Sequence, residues 1–219
     1  MHELVRTSLL IVGALFPIVN SPENVPIFLT LTTGLPKGSR AVLARKVAVN
    51  GFALLLVSIL IGTHILAFFG ISLPVVQVGG GLVIVAAGWK LLDRAENDDK
   101  PPQSSPKVQG AAWLTRRAFF PLTMPLTVGP GSISVAIAVG ANRAHATAAA
   151  WTLPAASALG CAAIALAIYL MYRFAEPIGR TLGDTTMDII IRLSSFLLLC
   201  IGVQIVWNGM SALLRSLRL

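Results

Sequence analysis

Between residues 47 and 69 the chain has no Asp, Glu, Lys or Arg, and five further stretches are almost as apolar. A bilayer core about 30 Å thick needs roughly 20 helical residues to cross it. Six segments reach that length: 7–34, 47–69, 73–92, 118–141, 146–174 and 187–214. Lipid offers no hydrogen bonds, so a segment of this kind must satisfy its own backbone groups, which a helix does. The sequence therefore predicts an all-α, polytopic membrane protein with six transmembrane helices. Charged residues make up 12% of the chain, against about 25% in an average soluble domain. They collect between the apolar segments.

A net charge of +8 raises the question of nucleic acid. Such binding needs Lys and Arg on a folded polar face. Here they flank apolar segments, where they set membrane orientation instead. The expected partner is the lipid bilayer, with no nucleic acid. Cys161 and Cys200 fit no metal-ligand spacing and are expected to be buried free thiols. The N-terminus has signal-peptide features, but Pro17 interrupts the apolar run and no A-x-A site follows, so it reads as a retained first span.

With the N-terminus placed outside, the inner loops hold 12 Lys and Arg residues and the outer side 4, with Arg192 left inside a span. The positive-inside rule then puts both termini outside the cytoplasm. Between the third and fourth segments lie Asp93, Arg94, Glu96, Asp98, Asp99, Lys100, Pro101 and Pro102, which read as part of a solvated, mobile cytoplasmic linker, 93–117.

The first and fourth segments share an interruption. One contains Pro17, Pro22 and Pro26; the other contains Pro125 and then Gly129-Pro130-Gly131. Sliding one onto the other by 108 residues, close to half the chain, matches Pro17 with Pro125, Ile18 with Leu126, Pro22 with Pro130 and Val25 with Ile133. This predicts a duplicated three-helix unit, 1–92 and 118–219, with the first and fourth helices broken. Because three is odd, the two repeats are inverted, an arrangement characteristic of secondary transporters.

Ser21-Pro22-Glu23 has the order of a helix start: N-cap, proline at the first helical position, acid in the first turn. Gly129 and Pro130 read the same way. Each break then exposes unpaired N–H groups within the membrane, tolerable only against protein or a wet cavity. Gly129, Gly131, Ser132 and Ser134 form a candidate seat for a carboxylate. The other reading of these breaks is a proline kink without a ligand.

Glu23 is an acid within a span, read either as a binder of an ammonium, cation or proton, or as a cap for its own half-helix. Asp188 and Arg192 are spaced for an i, i+4 ion pair. Gln77, Gln204 and Asn208 read as interhelical hydrogen-bonding groups, and Gly79-Gly80-Gly81 as a close helix contact. His64 has no evident partner in the sequence.

These features carry a resemblance to the MarC family of integral membrane proteins, whose SnatA-like members are identified with small neutral amino acid transport. The family's first break resembles N-P-x-G-N-x-P-x-F; Asn20, Asn24, Pro26 and Phe28 match it, while Ser21 and Glu23 depart. The second resembles P-L-x-x-P-x-x-x-G-P-G, matched by Pro121, Leu122, Pro125, Gly129, Pro130 and Gly131. Gly62, Phe69-Gly70-Ile71, Arg192, Gln204 and Gly209 also fit. The resemblance covers nearly the whole chain. It implies a bacterial or archaeal plasma membrane protein moving glycine- or alanine-like substrates.

The resulting expectation is a secondary transporter working by alternating access. Substrate sits between the breaks, with the backbone of 129–134 on a carboxylate and Asn20, Glu23 and Asn24 on an amine or coupling cation; Ser21 is a further candidate substrate-binding residue. Gln77, Asp188, Arg192 and Gln204 are coupling or structural polar residues. No nucleotide-binding loop, zinc-protease or serine-hydrolase motif is present, so the chain is read as neither ATP-driven nor an enzyme. No metal or cofactor is expected beyond a sodium ion or proton as coupling ion. An oligomer is compatible with the sequence. A channel, an exporter of another solute or drug, an intramembrane enzyme and a ligand-free assembly protein are the rival classes.

Overall fold

A computed structural model describes residues 2–19, 24–32, 35–96, 115–144 and 151–216. Its elements are α1 (His2–Val19), α2 (Asn24–Leu31), α3 (Lys37–Phe68), α4 (Leu73–Glu96), the π-helical α5 (Ala118–Thr127), α6 (Pro130–Ala144), α7 (Thr152–Arg173) and α8 (Ala175–Ser216). No strand occurs among the described residues. Five helical stretches are long and apolar enough to cross a membrane: His2–Val19, Gly38–Phe68, Leu73–Lys90, Thr152–Arg173 and Arg192–Ser216. The expected fourth span is divided into α5 and α6, and neither piece reaches the bilayer thickness alone.

Several boundaries differ from the sequence reading. α3 starts at Lys37, and its first turns carry Arg40, Arg45 and Lys46. α4 continues to Glu96, so the first charged residues assigned to the linker are helical. α8 begins at Ala175 and bends at Gly183, whose φ of 67° suits a residue without a Cβ. The turn between α3 and α4 is closed by Gly70 at φ 66°, with Gly70 N–H donating to Ala67 O and Ile71 N–H to Leu66 O. These two bonds satisfy the last carbonyls of α3 in a Schellman motif.

The bundle is apolar outside as well as inside. Val49, Leu82, Leu166, Leu193 and Trp207 are all more than half exposed. Such a surface suits lipid, where helix association rests on close packing rather than on hydrophobic burial. Ile11, Leu15, Leu55, Ile164 and Ile168 fill the center. α3 packs on α5, α6 and α7; α1 packs on α6 and α7. Cys161 is buried as expected, whereas Cys200 is exposed on the outward face of α8.

The most extensive contact joins α4 to α8. Its seam is built from Gly81 and Gly88 on one helix and Gly202 and Gly209 on the other. A Cβ at Gly81 would stand 2.9 Å from the Gly202 carbonyl oxygen, and one at Gly202 would stand 2.7 Å from the Val85 nitrogen. Gly79, two residues from Gly81, has nothing within 4 Å. Gly80 instead faces the Ser134 side chain on α6. The triple glycine thus serves two different neighbours and leaves one position outward. Gly202→Ala should therefore destabilise the folded protein by about 1–3 kcal/mol through overpacking. Gly79→Ala should be neutral or stabilising by up to about 1 kcal/mol through helix propensity. Reversible denaturation in mixed micelles checks both.

Candidate functional site

The second break follows from its prolines. A residue preceding proline is pushed out of the α region. Phe120, before Pro121, has φ −123° and ψ 123°; Met124, before Pro125, has φ −117° and ψ 124°. Two extended residues within ten widen α5 into a π register, and Val128 N–H donates to Thr123 O. Two hydroxyls take up carbonyls in the same register: Thr123 Oγ1 donates to Ala118 O and Thr127 Oγ1 to Leu122 O, each at 2.7 Å.

α6 then starts as expected. Pro130 is its first residue, and the Gly129 carbonyl accepts from Ile133 N–H at 3.1 Å, the pattern of an N-cap followed by proline at N1. Ser132 Oγ donates to Gly129 O and Ser134 Oγ to Gly131 O, so both hydroxyl protons are spent within the helix. Both serines are buried. Gly131 lies against Ile84 and the Gly80 carbonyl of α4. The start of α6 is therefore closed on one side by α4.

The first break shows through its flanks. Asn20, Ser21 and Glu23 lie outside the described residues. α1 ends at Val19 and α2 begins at Asn24, which is 6% exposed. The Asn24 carboxamide donates to Val19 O and to Leu126 O, each at 3.2 Å. Val19 ends α1 and Leu126 lies at the end of α5, so one side chain holds a carbonyl from the end of each of these helices.

Tyr172, at the end of α7, completes the cluster. Its ring stacks on Phe28 with centroids 4.5 Å apart, and its hydroxyl lies 2.7 Å from Thr127 Oγ1. Since the Thr127 proton goes to Leu122, Tyr172 donates in this pair. Asn50 Nδ2 reaches Thr123 Oγ1 at 3.4 Å from α3. Asn24, Thr127 and Tyr172 thus form a buried polar center spanning α2, α5 and α7.

The remaining predicted residues lie elsewhere. Gln77 is half-buried on α4. Gln204 and Asn208 are exposed and bond each other along α8 at 2.9 Å, which corrects the interhelical reading. Arg192 is exposed on α8; Asp188 belongs to the same helix, and its side chain is outside the described residues. His64 is exposed on α3. Among the described residues no group of His, Cys, Asp and Glu is arranged to hold a metal.

Thr123, Thr127 and Tyr172 were not singled out by the sequence reading. The repeated Pro121-Leu122-Thr123 and Pro125-Leu126-Thr127 triplets were the available signal, since each threonine sits two residues after a helix-breaking proline. Tyr172 had no comparable local signature.

The MarC family model, described as an integral membrane protein family, matches residues 5–214. An inner membrane protein MarC from Salmonella typhimurium is 28% identical over 219 residues, covering 99% of both chains. Its namesake from Escherichia coli O1:K1 is 30% identical over 205 residues, covering 92% of this chain and 93% of that one. No solved structure matches the chain. Removing the Asn24 carboxamide leaves two buried carbonyls without their donor, so Asn24→Ala should cost about 2–3 kcal/mol, whereas Tyr172→Phe should cost about 1 kcal/mol. Unfolding of the two single variants and the double variant should give a nonadditive cycle. The chain belongs to the MarC family.

Proposed function

We propose that this MarC family member is a secondary transporter of small neutral amino acids, of the size of glycine and alanine, working by alternating access. The observation that carries the reading is the Asn24 clasp. It draws the ends of α1 and α5 to one buried point, so the two chain breaks converge inside the bundle. Transporters with inverted repeats form their sites where two broken helices meet near the midplane.

Packing supports two related halves, 1–92 and 118–219. With α1 to α4 matched in order to α5 to α8, the contact of α1 with α7 has its mate in α5 with α3, and that of α4 with α6 has its mate in α8 with α2. The contacts α3 with α7 and α4 with α8 are their own mates. Counting α1 with α2, and α5 with α6, as one interrupted span each gives six crossings in two inverted repeats. Arg40 meets Glu176, and Lys46 meets Thr115. Both contacts support placing the three segments rich in Lys and Arg on one face, which the charge count assigns to the cytoplasm, with both termini opposite.

In this reading the substrate carboxylate lies on first-turn N–H groups of α6, which have no intrahelical acceptor. Ser132 and Ser134 shape that turn by binding its carbonyls. Asn20, Ser21, Glu23 and Asn24, the residues of the first break, are the candidates for holding the amine or a coupling sodium ion or proton. Rocking of one half against the other at the glycine seams opens the site to each side in turn.

The test is uptake of labelled alanine into proteoliposomes carrying the purified chain. Saturable uptake, accelerated by an imposed sodium or proton gradient, is expected. Flux that never saturates would favour a channel, and uptake equal to that of protein-free vesicles would sink the transport reading.

A further inference from the structure

A second site lies at the face of the bundle where α2, α3, α7 and α8 come together. A hollow of about 300 Å³ opens there between Leu29, Arg40, Ala41, Tyr172, Phe174 and Glu176. Arg40 Nη1 stands 3.2 Å from Glu176 Oε2, and Arg40 Nε donates to the Thr32 carbonyl at 3.3 Å. Both charged side chains are partly exposed, at 22% and 28%. Arg173 also lines the hollow, with its guanidinium 5.8 Å from the Phe174 ring center.

The ion pair sits at the rim of this open hollow and not in the packed interior, so a guest can reach it from outside the bundle. Partial exposure also makes this pair cheap to open, since such pairs contribute little to stability. The charges decide which guest fits. A simple anion on Arg40 would meet the Glu176 carboxylate close by, and a simple cation on Glu176 would meet Arg40 and Arg173. A molecule carrying both signs replaces one ion pair with two. Selectivity then comes from repulsion of the wrong guests as well as attraction of the right one.

We propose that the Arg40–Glu176 hollow is a binding site for a small dipolar ion, with its acidic oxygens on Arg40 and its ammonium on Glu176. Two sources share this chemistry: a free amino acid, and the phosphate and amine of an ethanolamine phospholipid headgroup. Tyr172 also lines the hollow, and its hydroxyl hydrogen-bonds Thr127 beside the second break. A guest here therefore lies one side chain away from the breaks. The proposal does not rest on the transport reading.

The test uses the full chain in nanodiscs of phosphatidylglycerol, which carries no ammonium. Calorimetric titrations with alanine, phosphoethanolamine, acetate and methylammonium are compared among the wild type, the Arg40→Gln/Glu176→Gln double variant and Ala41→Leu. The double variant removes both charges of the pair together; Ala41→Leu keeps the charges and fills the space. Binding of alanine or phosphoethanolamine, weakened at least tenfold in both variants, is expected, and the better ligand identifies the source. Acetate or methylammonium binding as tightly as the dipolar ions would overturn the proposal. So would dipolar-ion binding unchanged in the variants, or absent from the wild type. Uptake by proteoliposomes judges the transport reading separately: its persistence alongside any of these failures leaves that reading standing.

Discussion

Every backbone carbonyl inside a bilayer must find a donor within the protein, and the prolines of this chain leave several without one. Much of the interior is organised around that shortage. Thr123 and Thr127 bind the Ala118 and Leu122 carbonyls across the proline-widened turns of α5. Asn24 binds one carbonyl from the end of α1 and one from the end of α5. Tyr172 then ties Thr127 to α7 and, through Phe28, to α2. A helix break in lipid is stable only with such partners, and the partners in turn fix where the breaks stand relative to each other.

The rest of the bundle permits that arrangement by close approach. Glycines at Gly81, Gly88, Gly202 and Gly209 bring α4 and α8 to backbone contact, and Gly140 brings α6 against Ile59 of α3. Small residues substitute here for the hydrophobic driving force that lipid cannot provide. The seams bring backbone against backbone, while the polar side chains are concentrated at the break.

Much of this was legible beforehand. Apolar length gave the spanning segments, and prolines gave the breaks, because both signals are local and strong. The start of α6 at Pro130 follows directly from the Gly-Pro pair. Side-chain partners were harder to foresee. Asn24 was identified as a site residue, but its two acceptors lie one just before each break, and no spacing rule connects residue 24 with residue 126. Ser132 and Ser134 read as ligand donors, yet their protons go to carbonyls three residues earlier. Arg40 and Glu176 were noted only as loop charge or not at all; their meeting depends on how the two halves dock.

The central claim of the proposed function is that a small amino acid binds at the start of α6, beside Gly129. Gly129→Cys, in a Cys161→Ala, Cys200→Ala background, places one thiol there, and its rate of modification by a small water-soluble maleimide reports access. The account predicts that alanine slows labelling severalfold while acetate at the same concentration does not. Labelling at an unchanged rate, in a variant that still takes up alanine, would contradict it.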